Sequence, residues 1–261
     1  MKPSGRTEVA AQGKADRKPA FEPPLLTLAI DIGGSHIKAS VLNPAGGMMV
    51  APARVDTPHP ATPKVVIEAI SGLAAPLPPY QRVSVGFPGV VCEGRILTAP
   101  NLGTADWQGY LLAQALSARL RRPTRVLNDA DVQGLGVITG RGLECVLTLG
   151  TGIGSALFKN GRLLPHLELG QHPVCNNKTY DQYLGADALR RKGVETWNRR
   201  LRKALDIVHT LVNYDLLHLG GGNAKEIDFQ LRGNAKLAAN IGGITGGIRL
   251  WDPLHDEHFP G

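Results

Sequence analysis

Hydrophobic positions along this chain fall into short runs that end in glycine, interleaved with stretches where they recur every three or four residues. Leu25 to Ile30 is an apolar run bounded by Pro23-Pro24 and Gly33-Gly34, which predicts a buried strand. From Ile37 the apolar Ile37, Ala39 and Val41 alternate with Lys38 and Ser40, so a second strand follows and the two form a hairpin. Gly33-Gly34 suits its turn through tolerance of positive φ. Met48 to Val55 extends the expected sheet. Pro63 to Ala74 sets Val66, Ile67, Ile70 and Leu73 on one helical face. A strand over Arg82 to Val85, a helix over Tyr110 to Leu120 and a strand over Thr124 to Leu127 come next. Asn128-Asp129 sits at the end of that strand, and the helix beyond is expected to include Gly134 to Gly140.

The pattern then repeats. Strand Val146 to Leu149 enters the turn Gly150-Thr151-Gly152-Ile153-Gly154 and returns as strand Ser155 to Phe158. Each half thus opens with strand, glycine-rich turn and strand, which predicts two related lobes facing one another. Val194 to Tyr214 carries Trp197, Leu201, Leu205, Val208 and Val212 at helical spacing, with Trp197 read as core. Leu216 to Leu219 is a strand ending in Gly220, Gly221 and Gly222. The division expected is a disordered leader over 1–24, a smaller α/β lobe over 25–127 and a larger one over 128–240. A glycine-rich helix over about 240–251 is expected to pack on the first lobe.

Composition narrows the partners. The chain has 261 residues and a formal charge of +7, which favours an anionic partner. Basic clusters at Arg119, Arg121, Arg122 and Arg125, at Arg190, Arg191 and Lys192, and at Arg199, Arg200, Arg202 and Lys203 read equally as solvated helix faces. Aromatic residues do not interleave with them, which argues against nucleic acid. No apolar stretch reaches membrane-span length, and the basic start is not followed by a secretory apolar segment. Cys92, Cys145 and Cys175 are odd in number and widely spaced, as in a reducing compartment. Cys175 lies near His166 and His172 without a second cysteine at ligand spacing, so zinc is not expected.

Candidate chemistry gathers at the strand ends. Asp31 precedes the first turn, with Ser35 and Lys38 placing a hydroxyl and a cation beside backbone N–H groups that can cradle phosphate. Two such loops from facing lobes would hold an anion between them, and Asp31 would hold Mg²⁺, which prefers oxygen ligands. Asp129 reads either as a helix cap or as the general base for an attacking hydroxyl; for Asp131 the cap is favoured. Neither glycine loop matches G-x-G-x-x-G, and each is followed by a strand rather than a helix.

The ordered motifs "IDIGGSHIK", "GFPGVV", "LNDAD", "LTLGTGIGSA", "ELGQH" and "LGGG" resemble the ROK family of sugar kinases, within the actin-like ATPase superfamily, from about Leu25 to Leu250. "TLGTGIGSALFKNGRLLP" looks most like the polyphosphate glucokinase branch, including its polyphosphate/ATP glucomannokinases. The resemblance implies a two-lobed actin-like (ribonuclease H-like) fold with a ligand cleft between the lobes. It implies a cytoplasmic kinase that moves the terminal phosphoryl group of polyphosphate or ATP to the 6-hydroxyl of glucose and mannose with Mg²⁺. Asp129 would be the base. Asn101, Asn128 and Glu168 would contact sugar hydroxyls. Asp31, Gly33, Gly34, Ser35 and Lys38, with Gly150, Thr151, Gly152 and Gly154, would hold phosphate, and Gly220 to Gly222 would lie beside the nucleotide. Where family members read Glu-x-Gly-His, this chain has Glu168-Leu169-Gly170-Gln171-His172, so either Gln171 or His172 takes the sugar-contacting place. Asp181 is a further sugar contact or a helix cap. The implied protein is a monomer or homodimer without DNA or membrane partners; the alternatives are a sugar-responsive regulator and a non-catalytic sugar-binding protein of the same fold.

Overall fold

A computed structural model describes residues 24–238 and 244–259. The leader expected over 1–24 lies outside these residues but for Pro24, as do residues 240–243 of the glycine-rich segment.

Strands β1 (Thr27–Ile32), β2 (His36–Leu42) and β3 (Ala53–Asp56) lead into helix α1 (Pro63–Ala74) and strand β4 (Arg82–Phe87). Helix α2 (Leu112–Leu120) and strand β5 (Thr124–Asn128) complete a five-stranded sheet of order β3-β2-β1-β4-β5. β1 pairs antiparallel with β2 and parallel with β4, so it is flanked on both edges, and it is buried at every position but Asp31. Its apolar run is nearly continuous for that reason. Val66, Ile67 and Ile70 of α1 and Leu116 of α2 cluster with Leu28, Ile30, Val83 and Val85 of the sheet. Trp107 packs in this core and donates its indole N–H to the Ala61 carbonyl at 2.8 Å.

After helix α3 (Asp129–Leu135) the plan recurs. Strands β6 (Leu143–Leu149), β7 (Ile153–Lys159) and β8 (Arg162–Leu163) are followed by helices α4 (Tyr180–Leu184) and α5 (Ala186–Val212), then strands β9 (Leu216–Gly220) and β10 (Ala235–Leu237). The second sheet has the order β8-β7-β6-β9-β10, strand for strand the arrangement of the first. The repeat read from the two hairpins is therefore a repeat of whole sheets. α5 breaks at Gly193, whose φ of 74° is non-helical, and Val194 is where the long apolar periodicity starts. Trp197 is fully buried and donates to the Leu184 carbonyl at 2.7 Å.

Two local expectations are corrected. Gly33 and Gly34 do not take positive φ. The loop is closed by the Gly33 amide donating to His36 at 2.9 Å, and what excludes side chains is crowding: a Cβ on Gly34 would lie 3.3 Å from Cβ of Asn101. Helix α3 stops at Leu135 instead of including Gly134 to Gly140. The buried Glu144 carboxylate accepts the amides of Thr139 at 2.8 Å and Gly140 at 2.7 Å and pairs with His218, so these N–H groups turn away from the helix.

The described part of the glycine-rich segment, Thr245–Trp251, is a 3₁₀ helix rather than an α-helix. Ser84 Oγ donates to the Gly247 carbonyl at 2.7 Å, and a Cβ on Gly247 would meet those of Ala29 and Ser84 at 3.1 Å. Contact this close against β1 and β4 needs glycine. Arg125 donates to the Leu250 carbonyl at 2.6 Å and lies over the Trp251 ring at 4.5 Å. That basic side chain is also taken up within the chain by Asp256, to whose Oδ1 it donates at 2.8 Å. No helix among the described residues is long and apolar enough to cross a membrane.

Candidate active site

The two glycine hairpins and the start of α3 meet at a cleft of about 540 Å³. From the first hairpin come Asp31, Gly33, Gly34 and Lys38, with Asn101 beside them. Asp31 stands opposite Lys38 in the β1–β2 register. Burial raises the Asp31 carboxyl above its usual range and the Lys38 charge opposes the rise. Ser35 does not line the cleft; it is exposed, and its carbonyl accepts the Thr57 amide at 3.0 Å. Thr57 also donates its hydroxyl to the Gly33 carbonyl at 2.6 Å, bracing the loop in a way no local pattern signalled.

The next wall is the β5–α3 junction. Asn128 caps α3, its Oδ1 accepting from the amides of Ala130 at 2.7 Å and Asp131 at 3.4 Å. Its Nδ2 donates to the Gly89 carbonyl at 3.0 Å, so this cleft-lining amide is committed within the protein on both its donor and acceptor sides. With Asn128 as cap, Asp129 is left half-buried on the cleft, its Oδ1 accepting the amide of its neighbour Ala130 at 2.9 Å. Burial first, and then the charge of Asp31, pushes the Asp129 carboxyl up to about 7, against the Ala130 hydrogen bond. A cap role for Asp131 is also corrected: it is buried and faces His166, whose Nδ1 lies 3.3 Å away.

The second hairpin supplies Gly150, Thr151, Gly152 and Gly154. The Gly150 carbonyl is held by the Ala186 amide at 3.0 Å and by Asn223 Nδ2 at 2.9 Å, and the Gly150 amide donates to the Gly152 carbonyl at 3.0 Å. Asp181 does not cap α4, because Thr179 does so in a reciprocal pair with Gln182. Instead Asp181 accepts the Ile153 amide at 2.6 Å and Gln171 Nε2 at 2.8 Å. Gln171 thus reaches the cleft only through Asp181. His172 is exposed and its ring lies 6.4 Å from that of Tyr180, outside the cleft lining. Gly221 and Gly222 line the cleft; Gly220, the last residue of β9, does not.

The residue that sequence reasoning passed over is His166. It lines the cleft beside Glu168, with its Nε2 3.8 Å from Glu168 Oε2. The available signal was proximity in sequence, since His166 stands two residues before Glu168. A half-buried carboxylate near its proton-transfer pH, set between two amide-rich loops, suits removal of a proton from a hydroxyl that attacks a bound phosphate.

Known proteins share this layout. Residues 27–170 match the ROK family. The polyphosphate glucokinase of Mycobacterium leprae (strain TN) is 34% identical over 212 residues, covering 76% of this chain and 64% of that protein. The chain therefore spans a little under two thirds of that relative's length. The polyphosphate glucokinase of Mycobacterium tuberculosis (strain CDC 1551 / Oshkosh) is 31% identical over 210 residues, covering 76% of this chain and 78% of that one. The crystal structure of inorganic polyphosphate/ATP-glucomannokinase from Arthrobacter sp. strain KM aligns with a TM-score of 0.78 at 33% identity, over 87% of this chain and 98% of that chain.

Proposed function

The chain belongs to the ROK family and has its two-lobed actin-like ATPase fold, and on that premise we propose a polyphosphate/ATP-dependent hexokinase. It transfers the terminal phosphoryl group of inorganic polyphosphate or ATP to the 6-hydroxyl of glucose, and of mannose as well. The observation that carries this reading is Asp129: a carboxyl pushed up to about 7, facing a cleft whose other walls are two glycine loops.

As the 6-hydroxyl oxygen attacks the phosphorus, Asp129 takes its proton. The hairpin backbone at Gly34 and at Thr151-Gly152 holds the phosphate oxygens, so positioning and charge stabilisation do most of the work. Asn101, Glu168 and Asp181 hold the hexose, with Gln171 orienting Asp181, and Gly221-Gly222 lie beside a nucleotide donor. Asp31 suits Mg²⁺: it is a carboxylate raised by burial beside a second carboxylate, a pair that a hydrated divalent cation relieves. Bound there, Mg²⁺ supplies neutralisation of donor phosphate charge. Lobes assigned to residues 25–127 and 128–240 close over both substrates, excluding water that would otherwise accept the phosphoryl group. The setting we infer is the cytoplasm, where ATP is at hand.

A coupled assay for hexose 6-phosphate with polyphosphate and ATP against glucose and mannose tests the proposal. Activity with either donor on glucose is expected. Glucose binding without turnover by either donor would leave a non-catalytic sugar-binding protein, the reading this one replaces.

A further inference from the structure

The cleft concentrates negative charge. Asp31, Asp129, Glu168 and Asp181 line it, and Asp131 lies buried behind Asp129. The charges of Asp31, Asp131 and Glu168 add to burial in favouring protonation of Asp129. A protonated carboxyl would lose an acceptor that a sugar hydroxyl needs.

His166 stands among these groups. Its Nδ1 is 3.3 Å from each oxygen of Asp131, and its Nε2 faces Glu168 Oε2 at 3.8 Å. The side chains of His166 and Asp131 are only 8% and 4% exposed, while that of Glu168 is 28% exposed toward the cleft. Nε2 of His166 and Oε2 of Glu168 are both buried and have no hydrogen-bond partner among the described residues. Leaving such atoms unpaired is costly, and a purely packing role for the histidine would not aim one of them at a cleft carboxylate.

We propose that His166, anchored on Asp131, is a positioning residue that turns Glu168 Oε2 inward, so that the remaining oxygen accepts a hexose hydroxyl. This rests on the hexokinase reading for the identity of the ligand. Burial raises the Asp131 carboxyl, and the hydrogen bond and charge of His166 oppose the rise. Burial alone would lower the imidazole, but the contact with Asp131 and the nearby charge of Asp131 and Glu168 push it up to about 10. His258, from the C-terminal segment, adds a second imidazole facing Asp131.

The test compares wild type, His166→Gln, His166→Lys and the double variant His166→Gln with Asp131→Asn, which removes the buried carboxylate that the single change would strand. Glucose binding is measured by calorimetry without donor, and KM and kcat by the coupled assay. Both glutamine-bearing proteins are expected to bind glucose about tenfold more weakly, the size of one lost charge-assisted contact. Glucose KM rises in parallel, while kcat and donor KM stay within about twofold, a split that general loss of packing would not produce. His166→Lys, which restores a cation, is expected to recover most of the affinity. Unchanged glucose affinity in the double variant, or no recovery with lysine, overturns the proposal. Should the wild type bind glucose without forming sugar phosphate, the kinase reading fails, and the comparison of glucose affinities still decides the role of His166.

Discussion

Asn128 Nδ2 donates to the Gly89 carbonyl at 3.0 Å while its Oδ1 caps helix α3. One buried amide therefore ties the loop after β4 to the turn that presents Asp129, and the direction of the proposed base depends on it.

Replacing Asn128 by Ala should cost about 1–2 kcal/mol for the lost cap, with a further penalty for the Gly89 carbonyl left without its donor. Because Asp129 follows directly in the chain, kcat should drop more than glucose affinity. Urea unfolding alongside the coupled assay measures both. Wild-type stability and turnover together would show that the amide is dispensable.

Asp129→Asn keeps the shape and removes the base. Turnover should fall by roughly 10²–10⁴-fold, the usual contribution of a positioned acid or base, with glucose binding largely retained. The same substitution should stabilise the protein above neutrality. Folding raises this carboxyl from 3.8 to about 7, so between those values the folded state holds a proton that the unfolded chain releases. Its contribution to stability accordingly declines as pH rises through that window. A melting temperature for the variant below wild type at pH 8 would contradict this.

Gly152 and Gly150 occupy the same loop with opposite tolerance. A Cβ on Gly152 would lie 2.6 Å from the Asp181 carboxylate, whereas one on Gly150 meets nothing within 4 Å. Gly152→Ala should destabilise by about 1–3 kcal/mol through overpacking and should weaken sugar binding by displacing Asp181. Gly150→Ala should leave unfolding stability within about 0.5 kcal/mol of wild type. Chemical denaturation of the pair is the check, and equal losses would remove the steric argument.

The imidazole of His166 rises from 6.5 to about 10 on folding. The stability it contributes is fully present below pH 6.5 and is lost as pH climbs through 10, since the folded state alone retains the proton in between. His166→Gln should flatten the stability profile across that interval. A profile of unaltered slope, read from unfolding midpoints at pH 6, 8 and 10, would mean that the group is not charged in the native state.

Much of the architecture was legible from residue order. Helix α1 runs from Pro63 to Ala74 as its apolar spacing indicates, and the strand, glycine turn and strand motif marks both sheets. Asp129 and Asp31 were also visible as candidates, because a carboxylate at the end of an apolar run is a local signature. Where reading failed, the deciding partner was distant in the chain. Gly33-Gly34 looked like a positive-φ turn, but the constraint is Asn101. The helix expected through Gly140 ends at Leu135, and beyond it Glu144, buried with His218 of another strand, captures the amides of Thr139 and Gly140.

The order of residues by itself determined the periodicities, and hence the elements, the doubled plan and the placement of acidic and glycine residues at strand ends. Those depend on neighbours within a few positions. Only the tertiary structure decided which polar groups meet: Asp131 with His166, Asp181 with Ile153 and Gln171, Ser84 with Gly247. Each of those pairings is set by how sheets and helices pack, and packing at ångström precision is a property of the whole chain rather than of any stretch within it.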